Sequence, residues 1–235
     1  MAYRRSTTAV ALPEGDALTR ACVGIGMLFA ARAERDANIE DTLLAASVEG
    51  MDRGDLRMLA VLVTWLGIHH ERINADRLVR AVTGTRSPRV LAFWAAVARW
   101  LERDRRLARL ADAYVGPRLD LLSAGTDFQV KRHGEDPRFL EGPLRVPAGV
   151  LRDRPSDVLS PEELAKSHRV YRWRVILGPT YRADLWAANE AEPDLSAADL
   201  ARRSYASFAS AWQVKRDAGI VNSAHGSRAA SRKRA

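Results

Sequence analysis

Apolar residues recur at helical spacing through most of this 235-residue chain. Between residues 55 and 72 they fall three or four positions apart, at Leu59, Leu62, Val63 and Leu66. This is the spacing of residues on the buried side of a helix, whereas a half-buried strand needs strict alternation. Only short stretches near the middle of the chain favour strands. The pattern therefore predicts a mostly α-helical fold.

Composition and chain-breaking residues divide the sequence into five segments. We predict a flexible arm over residues 1–17, a helical N-terminal domain over 18–133, an irregular crossover over 134–160, a second helical domain over 161–221 and a disordered basic tail over 222–235. The crossover is rich in Pro and Gly and too long for an ordinary connection. The tail contains no apolar residue larger than Ala, a composition typical of disorder.

Positive charge is concentrated towards the C-terminal end. Residues 169–235 contain 12 basic and 6 acidic residues, whereas residues 1–168 contain 25 and 23. Such an asymmetry favours a polyanionic partner for the C-terminal region.

The remaining composition excludes several classes of protein. The single cysteine, Cys22, is incompatible with a disulfide framework or a zinc site built from several cysteines. No run of residues reaches the ~18 apolar positions that a membrane span requires. We therefore expect a cytoplasmic protein without a membrane partner.

The most specific local pattern begins at Leu195. Ser196 is placed to cap a short helix in which Leu200 and Ala201 face inward. Ala201 is small enough to let a second helix cross closely over it. Ser207 is placed to cap that second helix after a short turn.

This pattern resembles the helix-turn-helix of bacterial transcription regulators. Together with a preceding helix over residues 181–191, it resembles the three-helix core of a winged-helix domain. The resemblance implies that the second helix enters the major groove of duplex DNA. It differs in having Tyr205 where Gly is usual in the turn, and Phe208 and Trp212 where polar groove-facing residues are expected. A three-helix bundle that uses this geometry only for packing is the alternative.

Two rotations of the second helix are possible. If Ala211 and Val214 are buried, Phe208 and Trp212 point outward; if the two aromatic residues are buried, the outward surface is mainly polar and small. Gln213 is exposed in both rotations, so we expect it to contact a base edge.

The other candidate contacts follow from charge and position. Lys215 and Arg216 suit phosphate groups. The full set of predicted DNA-contacting residues is Ser196, Ser207, Phe208, Ser210, Trp212, Gln213, Lys215 and Arg216, with Arg228, Arg232, Lys233 and Arg234 in the tail.

A second copy of the pattern lies 122 residues upstream. The segment that starts at Ile73 matches the one that starts at Leu195, and Ser87-Pro88 opens the following helix. We expect a β-hairpin over residues 118–132 to take the place of a wing. The sequence thus predicts tandem winged-helix-like units with one or two small hairpins. The helix after Ser87 is apolar all round, which is typical of burial, so we expect this copy to contact protein rather than DNA.

Catalytic patterns are weak. The adjacent histidines of His69-His70-Glu71 point to different faces of a helix, and no third ligand follows at suitable spacing. Asp120 and Gln129-Val130-Lys131 are similar to the metal-binding signature of restriction-like nucleases, but a solvated wing hairpin explains the same residues. The chain has neither a GxxxxGK[ST] loop nor a GxGxxG loop. We predict no catalytic residues, no metal and no cofactor.

These observations favour a non-enzymatic DNA-binding protein of the bacterial transcription-regulator type. Duplex DNA is the expected partner, and a homodimer is one option for the assembly. The alternative is a protein-interaction adaptor or an antitoxin-like component of a bacterial defence system. That protein would use Phe208, Trp212 and the apolar first copy as its contact surface, because exposed Trp is often an interface hot spot.

Overall fold

The computed structural model describes residues 11–232, which form two compact units, residues 11–168 and residues 169–232. These residues contain twelve α-helices and two short strands, so the prediction of a mostly helical chain is confirmed. Within this described part, no helix combines the length and the apolar character needed to cross a membrane.

The first unit is helical with one small sheet. Its helices are α1 (Gly15–Gly24), α2 (Ile39–Asp52), α3 (Leu56–His69), α4 (Ala75–Thr83), α5 (Pro88–Trp100), α6 (Ala108–Ala111), α7 (Thr126–His133) and α8 (Pro161–Ser167). Its strands are β1 (Leu119–Asp120) and β2 (Leu144–Arg145). Helix α1 begins inside the segment that we predicted as a flexible arm, and residues 1–10 of that arm lie outside the described residues.

Polar side chains fix where the helices of the first unit begin. Asn74 accepts a hydrogen bond from the Arg77 backbone N–H at 3.3 Å, and Ser87 accepts one from the Val90 N–H at 3.2 Å, followed by Pro88 at the first helical position. Both starts agree with the sequence prediction. From the sequence, Asp41 is predicted to cap the second helix, and this prediction is wrong: Asn38 caps α2 and accepts a hydrogen bond from the Asp41 N–H at 3.0 Å.

Helix α5 lies in the core of the first unit. It packs against α2, α4 and α6, and Val90, Phe93, Trp94 and Val97 are fully buried. The Trp94 Nε1–H donates a hydrogen bond to Ser47 Oγ at 3.0 Å. Burial of this helix is therefore confirmed. The same burial removes these side chains from the partner-binding surface that the sequence suggested for this copy.

The hairpin predicted over residues 118–132 is wrong. Strand β1 pairs with β2 in parallel, and the second predicted strand is helix α7. Gly125 enters the helix from a left-handed conformation with φ of 77°, which Gly adopts without steric cost. An acidic residue, Asp127, lies in the first turn and the basic run Lys131-Arg132-His133 lies in the last. This arrangement complements the helix dipole.

The crossover predicted over residues 134–160 packs onto the first unit. It contains β2, two short 3-10 helices and the buried side chains Leu144, Val146 and Leu151. Helix α8 also belongs to the first unit, because the boundary lies between His168 and Arg169. The C-terminal domain therefore begins eight residues later than the predicted Pro161.

The second unit has four helices around a small core. They are α9 (Arg169–Leu177), α10 (Tyr181–Ala191), α11 (Ala197–Arg203) and α12 (Phe208–Arg232). The buried residues that form the core are Leu185, Leu200, Ala201, Ala206, Ala211 and Val214. No strand occurs between residues 169 and 232, so this unit carries no wing there.

Helix α12 is longer than the sequence predicts. It spans 25 residues and continues through 222–232, the larger part of the segment predicted as a disordered tail. That stretch contains three Ala and two Arg, which have high helix propensity, and no Pro, although its three Ser and one Gly have lower propensity. Residues 233–235 of the predicted tail lie outside the described residues.

Candidate nucleic-acid interface

Two serines cap the helices of the α11–α12 pair. Ser196 Oγ accepts a hydrogen bond from the Asp199 backbone N–H at 3.1 Å and lies 2.5 Å from the Asp199 carboxylate. Ser207 Oγ accepts from the Ser210 N–H at 3.1 Å and lies 2.8 Å from Ser210 Oγ. Both predicted caps are confirmed. The hydroxyl groups of all three serines already have partners at the helix ends.

The turn between the two helices contains a strained residue. Tyr205 has φ of 54°, in the left-handed region that bulky residues seldom adopt. The next residue, Ala206, donates its backbone N–H to the Ala201 carbonyl at 3.0 Å. This conformation reverses the chain after α11, so the sequence position where Gly is usual does require positive φ, although Tyr occupies it.

The first of the two rotations considered for α12 is the one observed. Ala211, Val214 and Ala218 are buried, whereas Phe208 is 59% exposed and Trp212 is 52% exposed. We call the opposite side of the first turns of the helix the α12 outer face, which consists of Phe208, Ala209, Trp212, Gln213 and Arg216; beyond it the same side continues with the exposed Ile220. All five residues are exposed, and their spacing places them on one side of the helix. Ala209 was not among the predicted contacts, although its position directly after Phe208 places it on the same side of the helix.

The aromatic part of the outer face carries a cation. The Arg216 guanidinium carbon lies 5.5 Å from the centre of the Trp212 ring, within the range of a cation–π contact. Arg216 also donates to the Asp217 carboxylate at 3.2 Å, and Asp217 in turn accepts from Arg182 at 3.0 Å. The outer face itself contains no acidic residue.

The other basic residues before Arg216 in this unit have local partners. Lys215, predicted to contact phosphate, donates to the Pro193 backbone carbonyl. The arginines form ion pairs as follows: Arg169 and Arg172 with Glu190, Arg174 with Asp184, Arg182 with Asp217, Arg202 with Asp199 and Arg203 with Glu192. The Arg174–Asp184 pair is buried and the others are largely exposed. Because exposed pairs contribute only ~0–1 kcal/mol, a phosphate can replace their carboxylates at little cost.

Most of the excess positive charge of the C-terminal region lies after Asp217, where the chain contains four basic residues and no acidic residue. Arg228 and Arg232 lie on the last turns of α12, whereas Lys233 and Arg234 are outside the described residues. Arg228 follows Arg216 by twelve positions, which is about 18 Å along a helix axis.

The nuclease-like residues do not lie on two neighbouring strands, as that signature requires. The Asp120 carboxylate is held by Arg145 at 2.7 and 3.0 Å, and the hydrogen bonds from Arg145 lower the pKa of Asp120. Lys131 lies on helix α7 rather than on a neighbouring strand. Across residues 11–232, no three His, Cys, Asp or Glu side chains are grouped as a metal ion would require.

The adjacent histidines bind carbonyl groups of the chain. His69 is buried, and its Nε2 lies 3.0 Å from the Leu159 carbonyl oxygen. The Nδ1 of His70 lies 3.1 Å from the Leu66 carbonyl oxygen. Burial lowers the pKa of His69 to about 4, against the opposing effect of its hydrogen bond to Leu159.

Comparison with known proteins gives no relative for this chain: no protein-family model, no curated protein and no solved structure matches it.

Proposed function

We propose that the C-terminal unit binds duplex DNA and that the protein is a non-enzymatic regulator of the helix-turn-helix type. One observation carries the proposal. The α12 outer face is exposed at the beginning of the second helix of a capped helix pair, while the opposite side of that helix is buried. The first turns of the second helix are the part that enters the major groove in helix-turn-helix proteins.

The residues of the outer face suit different parts of the duplex. The Gln213 amide can pair with both the N6 and N7 groups of adenine in the major groove. Arg216 lies one turn further along and suits a phosphate oxygen. The four basic residues between positions 228 and 234 would add phosphate contacts that carry no sequence information.

Titrations of duplex DNA at two salt concentrations test this proposal. Gln213→Ala should reduce discrimination between a preferred and a random duplex by about 5- to 150-fold, equivalent to ~1–3 kcal/mol, and leave non-specific binding nearly unchanged. Arg216→Ala should weaken binding to all duplexes alike and reduce the salt slope by about one. Matched controls are Gln129→Ala and Arg86→Ala in the first unit, which should change neither property. Absence of binding at low salt would refute the proposal.

Deletion of residues 223–235 tests the electrostatic contribution separately. The loss of four basic residues should make the logarithmic salt dependence of the affinity shallower by about 3 to 4. An unchanged slope would remove this segment from the mechanism.

A second candidate function rests on the exposure of the two aromatic residues. Phe208 and Trp212 are each more than half exposed, and large aromatic side chains are frequent hot spots at protein interfaces. If the protein is an adaptor, neither Gln213→Ala nor Arg216→Ala should affect DNA binding. In that case Trp212→Ala should weaken a protein complex by ~2 kcal/mol or more.

A further inference from the structure

The two aromatic side chains of the α12 outer face are unusual for a helix that reads base edges. Phe208 and Trp212 lie one turn apart on the surface of the helix, and each is more than half exposed. Contact between exposed apolar surface and an apolar group is favourable, because it removes both from water. Within the major groove, the C5-methyl group of thymine is the apolar group that proteins contact.

Resting on the proposed function, we propose that Phe208 and Trp212 select DNA by contacting thymine methyl groups, beside an adenine that Gln213 reads. The chemical class of ligand is thus an A·T-containing major groove, rather than duplex DNA of any sequence.

The spacing of the helix matches the spacing of the bases. Residues four apart are separated by about 6 Å along a helix axis, and successive base pairs by about 3.4 Å. Phe208 and Trp212 can therefore contact thymines about two steps apart. Gln213 follows Trp212 directly and reaches a neighbouring pair, where adenine offers the complementary acceptor and donor.

The environment of Trp212 also favours this contact. The Arg216 guanidinium lies over the Trp212 ring, which restricts the side chain before binding, and a restricted side chain loses less entropy on binding. The same arginine brings positive charge to the edge of the groove. None of the five outer-face residues is acidic, so the duplex is not repelled by that face directly, and a phosphate can replace Asp217 as the partner of Arg216.

The test begins with selection of bound duplexes from a library with a random 20-base-pair centre, using the full chain. The best duplex is then remade with deoxyuridine in place of each thymine, a change that removes only the methyl group. We expect enrichment of A·T pairs and an affinity about fourfold lower for each contacted methyl group removed. In the Phe208→Ala and Trp212→Ala variants, the difference in affinity between the thymine duplex and the deoxyuridine duplex should be smaller.

Phe128→Ala is the matched control, because Phe128 is an aromatic residue of the first unit with 63% exposure. It should retain the full difference. Equal affinity for thymine and deoxyuridine duplexes would overturn this inference and leave DNA binding intact. A difference that persists unchanged in both Phe208→Ala and Trp212→Ala would overturn it as well. Absence of binding to every duplex, even at low salt, would overturn the proposed function itself.

Discussion

The two helix pairs that share a sequence pattern differ in what surrounds their second helix. In both pairs a polar residue caps the first helix and a serine caps the second. Helix α5 is enclosed by α2, α4 and α6, whereas α12 packs against α10 and α11. As a result Phe93 and Trp94 are fully buried on α5, while Phe208 and Trp212 are exposed on α12.

This difference shows that capping and apolar spacing encode a local helix pair but not its role. The neighbours of the second helix decide whether its aromatic residues form a core or a surface. For α5 one of those neighbours, α2, is remote in sequence: Ser47 on α2, the hydrogen-bond partner of Trp94, lies 47 residues earlier.

The largest effect is expected for Trp94→Ala. The change leaves a cavity in the core of the first unit and removes the N–H group that donates a hydrogen bond to Ser47 Oγ. Truncation of a buried Trp costs ~3–5 kcal/mol of unfolding free energy. Urea unfolding followed through backbone NMR signals assigned to each unit measures it. A loss below ~1 kcal/mol would show that α5 is not the core helix described here.

The second effect depends on pH and also belongs to the first unit. The pKa of His69 is lowered from 6.5 to about 4, chiefly because burial disfavours the charged ring. The neutral form therefore stabilises the fold fully above pH 6.5. That contribution falls as the pH is lowered from about 6.5 to about 4, because the unfolded chain then binds a proton that the folded chain does not.

The shift corresponds to a loss of up to ~3 kcal/mol. His69→Gln keeps an N–H donor near the Leu159 carbonyl but does not titrate, so its first unit should lack this part of the pH dependence. The core of the C-terminal unit should not show it, because the one histidine of that unit, His225, lies on the last turns of α12, beyond the core residues. Equal pH dependence of the variant and the unchanged protein would contradict the assignment to His69.

Local signals in the sequence were sufficient for the helix pairs but not for their surroundings. Asn74, Ser87 and Ser196 predicted helix starts because a cap acts on the backbone within three residues. The segment after Gly125 was predicted as a strand from a short alternation around Phe128, which is exposed on helix α7. Pairing of β1 with β2 could not be predicted, because Leu119 meets Leu144 across 25 residues of chain.

The outer face was predicted only as one of two rotations. The sequence around Trp212 allowed either the aromatic pair or Ala211 and Val214 to face inward. The small core of the second unit decides between them, because Leu185 and Leu200 leave room for Ala211 and Val214 at the α12 contact. This choice depends on the shape of the packed helices rather than on spacing.

The third effect compares the two serine caps. Ser207→Ala should destabilise its unit by ~1 kcal/mol, the usual contribution of a capping side chain. Ser87→Ala should have a larger effect, up to ~2 kcal/mol, because Ser87 Oγ also donates to the charged Asp52 carboxylate at 2.7 Å, whereas the second partner of Ser207 Oγ is the neutral Ser210 hydroxyl. Unit-resolved urea unfolding measures both. Equal losses would indicate that the bond between Ser87 and Asp52 does not contribute.

The smallest effect on stability is expected for Trp212→Ala. Its side chain is half exposed, so truncation leaves no cavity and removes mainly the contact with Arg216, which is worth ~0.5–1 kcal/mol at an exposed site. Thermal unfolding of the variant should therefore shift little, in contrast to Trp94→Ala. Arg216→Ala is the companion variant, since it removes the same contact and retains the ring. If Trp212→Ala unfolds the second unit, the indole is part of the core and cannot contact a duplex. If stability persists while binding is lost, the exposure of Trp212 serves recognition, and the two similar helix pairs have opposite roles.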